Sequence, residues 1–174
     1  MLQNNKEQGF TLIELIIVIV LLGILAVAAS AKFNDLTENA YQAKVKANAS
    51  ALKSGIDIAR AKWLILGSPT SFSARNDVQV FGDQTSGTID FNIQGWPAQT
   101  WTGSDSWLAT NNNYDCLTLW STLIQDGSDK AAFDNSAEFI VAYEGNETCS
   151  YKLTKNTSYG FIYDTRTGKV TLTF

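Results

Sequence analysis

Histidine is absent from this 174-residue chain, and Met1 is its only methionine. The commonest general base and the commonest transition-metal ligand are therefore missing. No nucleophile–base pair survives that absence, so no catalytic residue is assigned and the chain is not read as an enzyme. Proline occurs only at Pro69 and Pro97, and no breaker interrupts a helix from Lys32 to Leu66. Charge is sparse: 13 Lys and Arg stand against 17 Asp and Glu, for a net −4. An acidic, unclustered balance argues against nucleic acid as a partner. The two cysteines, Cys116 and Cys149, sit in no metal-type spacing, and a zinc site wants four ligands. No cofactor or metal is expected. In a domain outside the cytoplasm the pair reads as a disulfide, worth roughly 3–4 kcal/mol by chain entropy. In the cytosol it reads as two reduced, buried thiols.

What the chain does have is a long apolar run near its start. Leu15 to Ala31 carries no charge, and Phe10 to Phe33 is apolar apart from Thr11, Glu14, Ser30 and Lys32. As a helix that stretch spans about 36 Å, enough to cross a hydrocarbon core of about 30 Å. In lipid a lone segment must satisfy its own backbone, so Ile and Val notwithstanding it is a helix. Glu14 stands alone in this run, and a charge near mid-bilayer costs roughly 2.5–3.5 kcal/mol on insertion scales.

Three readings compete. Ala26-Val27-Ala28 and Ala29-Ser30-Ala31 both fit the small-x-small pattern of an ordinary cleaved signal. A plain membrane anchor is the second. The third is a signal cut between Gly9 and Phe10, ahead of the apolar run. Such a cut removes Lys6 and Glu7 together and leaves the formal charge at −4. Only this reading gives Glu14 a partner, a new ammonium at Phe10 one helical turn away, and membrane-embedded charges tolerate burial when paired.

Gly9-Phe10-Thr11-Leu12-Ile13-Glu14-Leu15, directly before a spanning helix, resembles the class III signal of type IV pilins and type II secretion pseudopilins. The resemblance implies that a prepilin peptidase cuts after Gly9 and methylates the Phe10 amine. It also implies that Glu14 guides assembly with other pilin subunits into a helical filament. The implied divisions are a leader at 1–9, a transmembrane and filament-core helix at 10–33, an amphipathic second half at 34–66, and a globular head at 67–174. The implied route is a single pass of the inner membrane with the head in the periplasm, handling by the membrane assembly machinery, then an extracellular pilus. The chain departs from the family pattern at Ala31, where many pilins carry a helix-bending proline. Gly23 is left as the weak point, about 1 kcal/mol less favourable than Ala in a helix interior.

Beyond the membrane segment, Val45, Ala49, Leu52, Ile56, Ala59, Trp63 and Leu66 recur at steps of three and four and form one apolar stripe. Gly67-Ser68-Pro69 predicts the helix end. In the head, Val78–Phe81 and Thr88–Ile93 alternate as strands, with Gly82 to Gly87 as their turn. Thr100 to Asn113 is a polar loop, and Asp115 to Gln125 a short helix presenting Leu117, Trp120, Leu123 and Ile124. Hairpins are expected from Glu138–Tyr143 with Cys149–Leu153, around Gly145-Asn146, and from Tyr159–Tyr163 with Lys169–Phe174. The expected fold is α+β: a long N-terminal helix on a small antiparallel-sheet head, the type IV pilin fold, with a disulfide-closed C-terminal region.

"IARAKWLILGSP", "IDFNIQGWPA", the Cys116 helix and "YDTRTGKVTL" resemble minor pilins of the mannose-sensitive haemagglutinin (MSHA) pilus. That resemblance implies a minor structural subunit serving pilus biogenesis, surface attachment or motility. A pseudopilin of a type II secretion system and a membrane-anchored exported adhesin are the alternatives. Two weaker patterns remain. Asp126, Asp129 and Asp134 around Gly127-Ser128 are carboxylates of the calcium-binding kind, but their spacing is not an EF-hand and a solvated loop accounts for them. Trp96, Trp101, Trp107 and Trp120 are candidates for a sugar-binding shelf, though core packing accounts for most such tryptophans.

Overall fold

The computed structural model describes residues 9–82, 87–100, 107–124 and 130–174. Helix α1 runs Leu12–Ile65, helical throughout, including Gly23 and Ala31. The chain divides into two compact units at Ala40/Tyr41, inside this helix.

In the first unit, the stretch Leu12–Ser30 is long and apolar enough to cross a membrane, and none of it is buried within the chain. The second unit, Tyr41–Phe174, contains the rest of α1 and the head. There Val45, Leu52, Ile56 and Ala59 are fully buried, and Ala49 and Trp63 nearly so. Leu66 departs from the predicted stripe. It lies one residue past the helix end and is half exposed. The reason is the stop itself, a Schellman turn. Ser68 N–H donates to Trp63 O (3.1 Å) and Gly67 N–H to Leu64 O (3.0 Å), with Gly67 at φ +84°.

The head holds helices α2 (Phe72–Arg75) and α3 (Asn113–Leu123) and eight strands among the described residues: β1 Val78–Gln79, β2 Thr88–Phe91, β3 Pro97–Gln99, β4 Ala131–Ala132, β5 Phe139–Gly145, β6 Thr148–Leu153, β7 Gly160–Asp164 and β8 Lys169–Thr173. Strands β1-β2-β3 form one antiparallel sheet and β4-β5-β6-β7-β8 a second. The two predicted hairpins are β5–β6 and β7–β8, registered Tyr143↔Cys149 and Phe161↔Leu172. The two central residues of the first turn are Asn146 (φ +48°) and Glu147 (φ +57°), between Gly145 and Thr148, the geometry of a type I′ turn. Strand β3 arises at Pro97–Gln99, where no strand was expected, and β4 joins the larger sheet as a parallel edge strand. Helix α3 begins two residues earlier than its apolar spacing predicts. Asn112 and Asp115 form a capping box, Asp115 N–H to Asn112 Oδ1 at 3.0 Å and Asn112 N–H to Asp115 Oδ2 at 3.3 Å.

The core joins the α1 stripe, α3 and the larger sheet. Trp120 sits at its centre, with ring centroids 5.0 Å from Phe139, 5.2 Å from Tyr151 and 5.9 Å from Phe161. Within the second half of α1, a Cβ on Gly55 would stand 2.2 Å from the Leu123 carbonyl oxygen, so α1 and α3 approach closely where the side chain is missing.

Candidate functional site

The sequence places three residues of interest, Gly9, Phe10 and Glu14, at the start of the apolar run, and the local backbone explains how they are presented. Thr11 is the residue before α1 begins, and Glu14 is its third helical residue. Glu14 N–H donates to Thr11 Oγ1 (3.3 Å), while Glu14 Oε2 accepts from Thr11 N–H (2.9 Å) and from Thr11 Oγ1–H (2.8 Å). This is a reciprocal capping arrangement, and it sets the carboxylate against the positive end of the helix dipole. Glu14 is thus hydrogen-bonded within its own chain, in a segment that offers no other polar side chain before Ser30. Thr11 is a capping residue that reads in the sequence only as an exception to the apolar run, although T-x-x-E before such a run is itself a helix-start signature. Phe10 is 88% exposed. At Gly9 an added Cβ would meet nothing within 4 Å, and its φ lies outside the left-handed region. Nothing inside the described chain requires glycine there.

Residues 4–30 match the model of the prokaryotic N-terminal methylation motif, a span that takes in Gly9, Phe10, Thr11 and Glu14. The chain is 38% identical over 116 residues to the type IV narrow pilus major component PilA5 of Thermus thermophilus, covering 66% of this chain and 87% of that protein. The chain belongs to the type IV pilin family. It is also 36% identical over 74 residues to the type IV major alpha-pilin of Moraxella bovis, 41% of this pilin and 46% of that one. No solved structure matches.

In the pilin head, Cys116 on α3 and Cys149 on β6 are joined in a disulfide, their Cα atoms 5.4 Å apart. The pair is fully buried. Tyr151 O–H donates to the Cys116 carbonyl (2.9 Å), adding a second link between β6 and α3. Tyr163 O–H donates to the Pro97 carbonyl (2.8 Å), linking the larger sheet to β3. Burial pushes both phenols above their ordinary range.

The four tryptophans do not make one shelf. Trp120 is fully buried and Trp107 is 64% exposed, while Trp101 lies outside the described residues. Trp96 packs its ring against Gly168 and over the Arg60 guanidinium, 4.5 Å from its centroid. Arg60 lies equally over Trp63 (4.3 Å) and donates to Gln94 O, so this stack fastens α1 to the β2–β3 turn. Asp126 and Asp129 fall outside the described residues. Asp134 is exposed, its Oδ1 accepting from Ser136 N–H (2.9 Å), and no metal-type cluster occurs among the described residues.

Proposed function

We propose that this pilin is a non-enzymatic structural subunit of a type IV pilus, processed between Gly9 and Phe10 and assembled through its apolar helix. The observation that carries the reading is the presentation of Gly9-Phe10 directly ahead of a capped apolar stretch, Leu12–Ser30, none of which is buried within the chain. A glycine that no internal contact or backbone angle requires fits recognition by an external peptidase. Cleavage would release an ammonium at Phe10, next to the Thr11 amide that Glu14 already holds. That amine, or the one on a neighbouring subunit, then becomes the partner of the Glu14 carboxylate, and the neighbour's would set an axial register.

Before assembly the subunit spans the inner membrane once at about residues 10–33, with residues 34–66 continuing the helix and the head at 67–174 in the periplasm. Its partners are the prepilin peptidase, the assembly machinery and other pilins. The mature N-terminus tests this: mass spectrometry is expected to find a chain starting at methylated Phe10. A chain starting at Ala29 or Lys32, or retaining Met1–Gly9 in filaments, overturns it.

The finer reading, a minor subunit of an MSHA-type pilus, is supported by the head segments quoted above. A major shaft subunit is the second reading, favoured because both named relatives are major pilins. Quantifying this head against total pilin in sheared filaments separates them.

A further inference from the structure

The head contains a surface cavity of about 410 Å³, within the size range of small-ligand sites and separate from the residues assigned to processing and assembly. Its lining combines three solvent-exposed apolar side chains, Trp107, Ile93 and Phe72, with Arg75, Arg166 and Glu147. In the one-turn helix α2, Phe72 and Arg75 are three residues apart and share a face.

Arg75 is the unusual member. It is only 8% exposed, though arginine is almost never buried without a paired anion. Its Nη1 donates to Phe91 O (2.7 Å) and its Nε to Thr70 O (3.2 Å), both neutral carbonyls. Among the described residues, Nη2 has no protein acceptor and no carboxylate pairs with the group. Leaving a buried charge without a counter-ion is strongly unfavourable, and desolvation lowers the Arg75 pKa accordingly. Arg166, by contrast, is held by Asp164, Nε to Oδ1 and Nη2 to Oδ2 at 3.1 Å each. The cavity lining therefore carries one largely buried guanidinium with no carboxylate partner among the described residues, its Nη2 left open to solvent.

The walls are braced. Asn92 Nδ2 donates to Thr165 O (2.6 Å), and Thr165 N–H and Oγ1–H both donate to Glu147 O (3.0 and 2.9 Å). Those bonds lock the β2–β3, β5–β6 and β7–β8 turns together, so the cavity is formed before any ligand arrives.

We propose that this cavity binds a carboxylated sugar of the uronic-acid type. The carboxylate lies against Arg75, a charge-assisted pairing that supplies the missing counter-ion. The ring packs on the exposed Trp107 indole, and the Glu147 carboxylate accepts from ring hydroxyls. A simple inorganic anion would satisfy Arg75 but leave the apolar rim and Glu147 unused. A neutral sugar would leave the buried guanidinium unpaired.

The test uses the full chain in non-ionic detergent micelles, titrated with tetragalacturonate, maltotetraose, acetate and inorganic phosphate, by calorimetry and tryptophan fluorescence. Tetragalacturonate is expected to bind at least about tenfold more tightly than each of the others. Trp107→Ala is expected to weaken it at least about tenfold and remove most of the fluorescence response. Arg75→Met is expected to abolish the preference for the charged over the neutral tetramer. Because Arg75 also braces α2, Trp107→Ala and the ligand comparison decide the matter if that variant misfolds. No binding of tetragalacturonate, equal binding of maltotetraose, equal binding of acetate or phosphate, or indifference to Trp107→Ala each overturns the proposal.

Discussion

The two ends of α1 use the same apolar residue types in opposite ways. In the first unit Leu12 is 75% and Val27 77% exposed; in the second Val45, Leu52 and Ile56 are at 0%. Toward Ile65 the apolar residues recur at steps of three and four, and charged residues occupy the other faces. Toward Leu12 they surround the helix, so no single internal neighbour could cover them. Apolar surface of that extent is favourable only out of water. The first unit therefore takes its stability from lipid or from other subunits. The second takes its stability from its own core. Mutations in the two should separate cleanly, and the following outcomes test that separation in descending order of effect.

Glu14→Ala is expected to lose assembly while leaving the head intact. If Glu14 neutralises a Phe10 amine in an apolar setting, removing it costs roughly 3–5 kcal/mol, because the amine is left unpaired. The measurement is the ratio of mutant to wild-type head in sheared pili when both are expressed equally. A ratio near one would mean that Glu14 does no work in assembly.

Trp120→Ala should do the reverse, destabilising the head by about 3–5 kcal/mol through the cavity left among Phe139, Tyr151 and Phe161. Urea denaturation of the full chain in micelles reads this, and membrane insertion is expected to be unchanged. Cys116→Ser is expected to cost about 2–4 kcal/mol and to leave Cys149 reactive toward thiol reagents once the head opens. Two free thiols in oxidised wild-type protein, by mass, would contradict the bond.

Gly55→Ala is expected to cost about 1–3 kcal/mol, since the new Cβ overlaps the Leu123 carbonyl and α1 must move off α3. Gly23→Ala, where a Cβ meets nothing, should leave head stability unchanged. That pair contrasts the two units within a single helix.

The smallest effect is a pH dependence. The Ser150 hydroxyl, 2.6 Å from Glu144 Oε1, outweighs burial and, with Lys152, holds that carboxyl below its ordinary range. A depressed carboxylate stabilises the fold above its unfolded-state pKa, and the contribution is lost as pH falls through the lower folded-state value. The Glu144 side chain is 43% exposed, so solvent screening keeps the effect under about 1 kcal/mol. Glu144→Gln should flatten the acid limb of head stability by that amount, measured by urea titration from neutral to acidic pH.

Much of the fold was legible because its signals are local. A glycine and proline stop, and alternating runs bounded by Gly145-Asn146 and Asp164–Gly168, each act within a few residues. The strands the periodicity missed, β3 and β4, are three and two residues long, too short for alternation to register. They exist because the adjoining strands β2 and β5 offer them backbone partners, Phe91 to Pro97 and Ala131 to Phe139. At the N-terminus the motif was plain, yet Thr11 was overlooked because a hydroxyl inside an apolar run reads as an exception rather than as a cap.

By itself the sequence determined that one apolar helix precedes an α+β head, because hydrophobic periodicity and helix caps are short-range properties of consecutive residues. The tertiary structure alone decided which aromatics are core and which are surface. Trp120, Trp96 and Trp107 look alike in sequence, but one lies among three rings, one stacks on Arg60 and one faces solvent. It alone also buried Arg75 without an anion, because that burial depends on α2, the β2–β3 turn and the segment at Trp107 meeting in space, and no local pattern encodes a meeting of segments so far apart along the chain.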